Sequence, residues 1–197
     1  MNENTGQLPD ISSNRKARKW TRRELAGRLL WDLLQGPLFA WSPRQVWVWR
    51  RVVLRLFGAR IGPDVHIYPD VKIAVPWSLV VEAGSAIGEG AIIYSLGKIT
   101  IGKSVTVSQY AHLCAGSHNY LDPAMPLTKL PIEIGDGAWI CAEAFIGPGV
   151  RIGSGTIVGA RAVVTSNIDA GLIAIGNPAT ILKKRPHWAT MRTTEVC

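Results

Sequence analysis

Cysteine is scarce in this 197-residue chain: Cys114, Cys141 and Cys197 are the only three, with no paired or CxxC spacing. An odd count without a framework leaves no disulfide scaffold and predicts a reducing compartment. Long apolar runs are lacking too. No stretch reaches the roughly 20 apolar residues of a membrane span. The apolar residues near the N-terminus are interrupted by Arg and Lys, unlike a signal peptide. The expectation is a cytoplasmic protein. Acidic residues are few, 14 against 22 Lys and Arg, for a net charge of +8. No nucleic-acid motif accompanies that charge, so nucleic acid is not an expected partner. An anionic membrane surface or a polyanionic small ligand remains open. Charged residues make up 18% of the chain against 47% hydrophobic ones, a globular balance.

What is abundant is a period of six. From Ile134 to Val164 an aliphatic residue returns every six positions, at Ile134, Ile140, Ile146, Ile152, Val158 and Val164. A small residue follows it at Gly135, Cys141, Gly147, Gly153 and Gly159. Another small or branched residue comes four places after each: Ala138, Ala144, Val150, Thr156 and Ala162. This period fits neither an amphipathic helix nor a hairpin. It is the hexapeptide signature of a parallel β-helix, in which three short flat sides close one triangular coil. The Gly after each aliphatic residue is expected where the chain bends sharply. The same pattern begins at Ile61 and slips by two residues near Val75 and again before Ile101. One segment, His118 to Pro131, breaks it with three prolines and reads as a loop thrust out of the coil.

Three regions follow: a basic, Trp-rich helical arm (1–59), the β-helix (60–182, loop 118–131) and a tail (183–197). In the arm, Met1 to Asn14 is polar, shows no periodicity and is expected to be mobile. A helix is expected from near Trp20 to before Gly36-Pro37, with Leu25, Leu29 and Leu33 along one side. A second is expected with Ser42 as N-cap and Pro43 at its first position, ending at Gly58. Five of eight tryptophans, Trp20, Trp31, Trp41, Trp47 and Trp49, lie here among Arg15, Lys16, Arg18, Lys19, Arg22, Arg23 and Arg28. The arm is expected to cap the open end of the coil stack. Trp beside Arg and Lys also suits an anionic headgroup layer, so peripheral contact with the inner membrane is a second expectation.

Gly-Ser-His-Asn at 116–119, the Pro-rich loop, Ile-Gly-Asp-Gly-Ala-Trp-Ile at 134–140 and Gly-Asn-Pro-Ala at 176–179 together resemble the hexapeptide O-acetyltransferases. The Trp-rich arm, Phe-Gly-Ala-Arg-Ile-Gly at 57–62 and Ile-Tyr-Ser-Leu-Gly at 93–97 are similar to their colanic-acid-biosynthesis group. The resemblance implies a left-handed β-helix, a homotrimer, and acetyl-CoA bound between neighbouring chains. It implies His118 as the catalytic base, the Ala142 N–H at the thioester oxygen, and Trp139 beside the acceptor or pantetheine arm. Gly159, Ala160 and Gly176 would line the pantetheine groove. Where related sugar acetyltransferases hold a polar acceptor contact, Gly90 stands here.

The chemistry is compatible with these residues. A sugar hydroxyl needs a positioned base to attack a thioester, and His titrates near the working pH. No metal and no acyl-enzyme is required. His112 lies one hexapeptide before His118, a pair that resembles the metal-binding carbonic anhydrases of this fold, but a third His in register is missing. Cys114 and Cys141 sit at small-residue positions and read as structural thiols. Asp122 and Glu143 could orient His118, or be solvated carboxylates. Arg161, Lys183, Lys184 and Arg185 are candidates for the phosphates of CoA, or a plain solubilising set. The leading expectation is acetyl-CoA-dependent O-acetylation of a sugar in surface or exopolysaccharide biosynthesis. Acetylation of an antibiotic or other small hydroxyl or amine, and a non-catalytic scaffold, are the alternatives.

Overall fold

The structure, a computed structural model, describes residues 10–186. The expectations for residues 1–9, His187 and Cys197 lie outside the described residues. Parallel strands form three flat sides. The first stacks Arg60–Ile61, Leu79–Val81, Ile99–Ile101, Ile132–Ile134 and Arg151–Ile152. The second stacks His66–Ile67, Ala86–Ile87, Thr106–Val107, Trp139–Ile140, Ile157–Val158 and Leu172–Ile175. The third stacks Lys72–Ile73, Ile92–Tyr94, His112–Cys114, Phe145–Ile146 and Val163–Val164. With its helical arm this is the expected left-handed parallel β-helix, of about 6 turns.

The six-residue period becomes register. Ile61, Val81, Ile101, Ile134 and Ile152 are consecutive partners up the first side. Ile67, Ile87, Val107, Ile140 and Val158 do the same on the second. Ile73, Ile93, Leu113, Ile146 and Val164 do so on the third. All are buried, so the core is a column of stacked aliphatic side chains inside the triangle. Both two-residue slips fall at the third corner, where the third side turns into the next coil. Pro76–Ser78 forms a 3₁₀ turn there and Ser95–Gly97 a bend. The Ser95 hydroxyl ties them, accepting from the Val75 N–H at 3.0 Å and donating to its carbonyl at 2.9 Å.

The glycine after each aliphatic residue has a different reason from the expected bend. A Cβ on Gly135 would lie 2.5 Å from the Ser154 nitrogen, and one on Gly153 would lie 2.3 Å from that of Ala170. These glycines let one coil approach the next. The left-handed bend comes two residues later, at Gly137 (φ 64°), Glu143 (φ 59°), Gly149 (φ 77°), Gly155 (φ 69°) and Arg161 (φ 60°). Non-glycine residues there accept an uncommon conformation because the coil pitch imposes it.

Among its described residues the arm holds three α-helices, α1 (Ile11–Lys16), α2 (Arg22–Leu34) and α3 (Trp47–Leu56). α1 forms within the stretch expected to be mobile, because the Asp10 carboxylate caps the Ser13 N–H and Asn14 bonds the Ala124 carbonyl. α2 starts on a capping box, Thr21 with Glu24. Its α-helical part stops at Leu34, but the chain continues as a π-helical turn, Gln35–Ala40, through Gly36-Pro37. The Trp41 N–H reaches the Gly36 carbonyl at 3.0 Å, and the wider turn accommodates a proline without an N–H. Ser42-Pro43 does not start α3, whose N-cap is Val46. The reason is Arg50: its guanidinium, fully buried, takes the Ser42 hydroxyl and the Pro43 and Arg44 carbonyls, holding 42–44 as a turn.

The arm caps the first coil as expected, through side chains. Along the sides, coil N–H groups donate to the coil above, as His66 does to Ser85, so the carbonyls of the first coil's strands face away from the stack. Arg55 donates to the Ile61 carbonyl at 2.6 Å, Arg50 to Ile67 at 2.6 Å, and the Trp31 indole to Ile73 at 2.7 Å. One donor thus serves each side of the triangle. At the far end, Thr180–Lys184 turns back antiparallel on Leu172–Ile175, crossing the boundary expected at residue 182. Lys183 and Lys184 therefore belong to the sheet, not to a separate tail.

Candidate active site

The broken repeat is a short hairpin. Ser117–His118 pairs antiparallel with Leu127–Thr128. It is rooted at the third corner, where a Cβ on Gly97 would lie 2.8 Å from the Leu130 carbonyl oxygen. His118 is exposed, and its Nδ1 lies 2.6 Å from the Met125 carbonyl oxygen. A carbonyl only accepts, so Nδ1 carries the proton in the neutral ring and Nε2 presents its lone pair. Neither carboxylate named from the sequence orients this ring. Asp122 accepts from the Ala124 N–H at 2.9 Å. Glu143 pairs with Arg161 at 2.7 Å on the second corner, and that hydrogen bond and charge hold its carboxyl below the usual range. The Met125 carbonyl was missed because a backbone acceptor leaves no mark in residue identity.

The remaining candidates gather elsewhere, along the second side and second corner. Trp139 lies on the second side, half-exposed, and its indole N–H donates to the Ser108 hydroxyl at 2.8 Å. A groove lined by Arg44, Tyr68, Thr106, Ser108 and Gln109 opens beside it. Ala142, Gly159, Ala160 and Arg161 occupy the second corner in successive coils, Arg161 N–H bonding the Ala142 carbonyl at 2.9 Å. Among the described residues the Ala142 N–H has no acceptor and stays available. Gly176 (φ 97°) joins them through the Val163 N–H at 2.9 Å, and Lys183 and Lys184 are exposed on the last strand. Arg185 is engaged at the first corner, donating to the Gly137 and Gly155 carbonyls at 3.1 and 2.9 Å. Gly90 sits under the Tyr110 ring, where a Cβ would lie 2.3 Å from a ring carbon.

One chain therefore brings Trp139, Ala142, Gly159, Ala160, Arg161 and Gly176 together but leaves His118 on a different corner. His112 is on neither. It stands outward on the third side between the rings of Tyr94 and Phe145, its Nε2 buried without a partner. Burial pushes its imidazolium pKa down. Among the described residues no cluster of three or more His, Cys, Asp or Glu is gathered for a metal. Burial pushes the Cys141 thiol up, the opposite of a nucleophile's need.

Residues 131–166 match the bacterial transferase hexapeptide (six repeats) family. The chain is 42% identical over 156 residues to the putative colanic acid biosynthesis acetyltransferase WcaF of Escherichia coli K12, covering 79% of this chain and 86% of that one. A maltose O-acetyltransferase from Clostridium difficile 630 superposes with a TM-score of 0.77 at 24% identity, over 83% of this chain and 89% of that one. The hexapeptide-repeat acetyltransferase VCA0836 of Vibrio cholerae, complexed with acetyl coenzyme A, does so with a TM-score of 0.77 at 22% identity, over 85% and 91%. The two structures share the fold, the first relative shares sequence over 79% of the chain, and this chain belongs to the hexapeptide-repeat acetyltransferases.

Proposed function

We propose that this protein transfers the acetyl group of acetyl-CoA to a hydroxyl of a sugar in surface or exopolysaccharide biosynthesis. The observation that carries the reading is the His118 hairpin: the one large break in the coil presents an imidazole whose Nδ1 is held by the Met125 carbonyl. Its Nε2 takes the hydroxyl proton as the oxygen attacks the thioester carbon. The carbonyl oxygen becomes an oxyanion, and the uncommitted Ala142 N–H is a rigid donor for it. The carbon–sulfur bond then breaks, and the imidazolium returns its proton to the departing CoA thiolate. Trp139, Gly159, Ala160 and Gly176 form the track for the pantetheine arm, with Arg161, Lys183 and Lys184 available to phosphate.

Completing the site calls for a second chain, because His118 leaves the third corner and Ala142 stands at the second corner of the coil that follows. A homotrimer, in which a neighbour's hairpin reaches the second corner, supplies it. All three arms then lie at one end of the assembly. α2 and α3 turn Trp31, Val53 and Leu54 to the core, so their other faces point away from the stack. Leu29 and Leu33 on α2 are 72% and 71% exposed, and Trp41 and Leu56 are each 80% exposed. Residues 1–59 hold eleven of the 22 Lys and Arg but only four Asp and Glu. Apolar stripes beside surplus cations fit an anionic membrane surface, each cation contributing about 1 kcal/mol. Of the five arm tryptophans, Trp31 is buried and Trp20 is engaged by Arg28 and Lys129, which leaves Trp41 and Trp49 as the exposed ones on these faces.

Thiol release from acetyl-CoA with a panel of sugar acceptors tests the activity. His118→Ala is expected to lower kcat by roughly 10²–10⁴, with acetyl-CoA affinity by calorimetry nearly unchanged. Retention of more than about a tenth of kcat would sink the general-base role. Flotation with anionic vesicles tests the arm: Leu29→Ser with Leu33→Ser should abolish it, and unchanged flotation removes the idea.

A further inference from the structure

The His118 hairpin has two-residue strands, too short to be rigid alone. Its tip residues Tyr120 and Leu121 are exposed, and Met125 holds a left-handed φ of 44°. What secures it is the segment before α2. Asp10 N–H donates to the Pro123 carbonyl at 2.6 Å. The Asn14 side-chain amide donates to the Ala124 carbonyl at 2.9 Å and also to the Met125 carbonyl. Three consecutive hairpin carbonyls are thus pinned by one segment some 110 residues away in sequence. At the hairpin's base, the Lys129 ammonium donates to the Lys19 carbonyl at 3.1 Å and sits 3.4 Å from the Trp20 ring centroid.

The Asn14 amide has only one orientation compatible with its partners. Lys19 Nζ, which has only protons to give, donates to Asn14 Oδ1 at 2.6 Å, so Nδ2 must face the two carbonyls. The Met125 carbonyl that accepts from Asn14 is the same one that accepts from His118 Nδ1. We propose that Asn14 is a positioning residue for His118: through the shared Met125 carbonyl it fixes the direction and tautomer of the catalytic imidazole. The arm and the base are then one mechanical unit, joined through Trp20 between Arg28 of α2 and Lys129 of the hairpin. The segment is itself braced: the Ser13 hydroxyl and N–H on Asp10 hold its carboxyl down to about 2, so this cap stays charged at any working pH.

This inference rests on His118 being the base, so its test reads the hairpin separately from the activity. Asn14→Asp is nearly isosteric but sets a carboxylate against two carbonyls. A packing role would tolerate it; a donor role would not. In full-length protein, Asn14→Asp and Asn14→Ala are both expected to speed hydrogen exchange at the Asn119 and Met125 amides, which bond Pro126 and Asp122 in the intact hairpin. The ¹⁵N shifts of His118 should lose their single-tautomer pattern. Both variants should lower kcat by about 10- to 100-fold, the scale of a small misplacement, while the KM for acetyl-CoA stays unchanged. Wild-type exchange and tautomer in Asn14→Asp would overturn the proposal. A loosened hairpin with unaltered kcat would instead leave the strap standing and overturn His118 as the base.

Discussion

At the scale of single residues, the corner geometry makes the oxyanion donor testable by itself. Ala142 stands two places after an inward aliphatic residue, the position that Pro63 and Pro148 fill in other coils. Proline fits that corner, so Ala142→Pro removes the N–H without a bend the coil refuses. The expected outcome is unfolding near the wild-type midpoint and a kcat lower by about 10²–10³. Equal loss of Tm and kcat would mean the coil, not the donor, was hit. His112 gives a pH signature. Desolvation lowers its pKa in the folded state, so the unfolded chain binds the extra proton. Its neutral form costs nothing above the ordinary value of 6.5, and stability falls as pH drops below that value. His112→Phe, which suits the space between Tyr94 and Phe145, should flatten that decline. Thermal unfolding at pH 7.5 and 5 checks it, and parallel declines would contradict it.

At the scale of elements, the arm and coil meet through donors aimed at carbonyls. Arg50 is the strongest case, buried and satisfied by Ile67, Ser42, Pro43 and Arg44, with its guanidinium 4.8 Å from the Trp47 ring centroid. Truncation strands several acceptors at once. Arg50→Ala is expected to destabilise the fold by about 3 kcal/mol, and Arg50→Lys should not rescue it, because an ammonium cannot reproduce the planar fork. Chemical denaturation measures both; a loss below about 1 kcal/mol would show that water replaces the cap. The period of six was legible here because each repeat carries its own copy. The caps were not: nothing in the sequence sets Arg50 and Arg55 apart from the other arginines of the arm, and only the fold puts the first coil's open carbonyls beneath them.

At the scale of the whole molecule, the division of the site between corners has a kinetic consequence. His118→Ala and Ala142→Pro chains are each expected to be nearly inactive. Mixed and reassembled in equal amounts, they should regain about a quarter of wild-type activity, since one interface in four pairs an intact His118 with an intact Ala142 in a closed ring. Activity that stays at the level of the separate variants would place both groups in one chain's site and remove the trimer argument. Sedimentation of the wild type reports the assembly itself.

Residue identity by itself determined the coil, its three-sided register, the position of the break and the His within it. These are properties of short, repeated patterns, and a buried aliphatic column tolerates only one register. The tertiary structure decided the rest. It moved the left-handed bend away from the recurring glycine position to the residue two places on, because inter-coil distance, not turning, excludes a Cβ there. It turned Leu29 and Leu33 outward and buried Trp31. It gave His118 a backbone carbonyl as partner and bound that carbonyl to Asn14. Backbone acceptors are the same in every residue, and a contact spanning more than a hundred positions has no local period. Only folding brings such groups within hydrogen-bond distance.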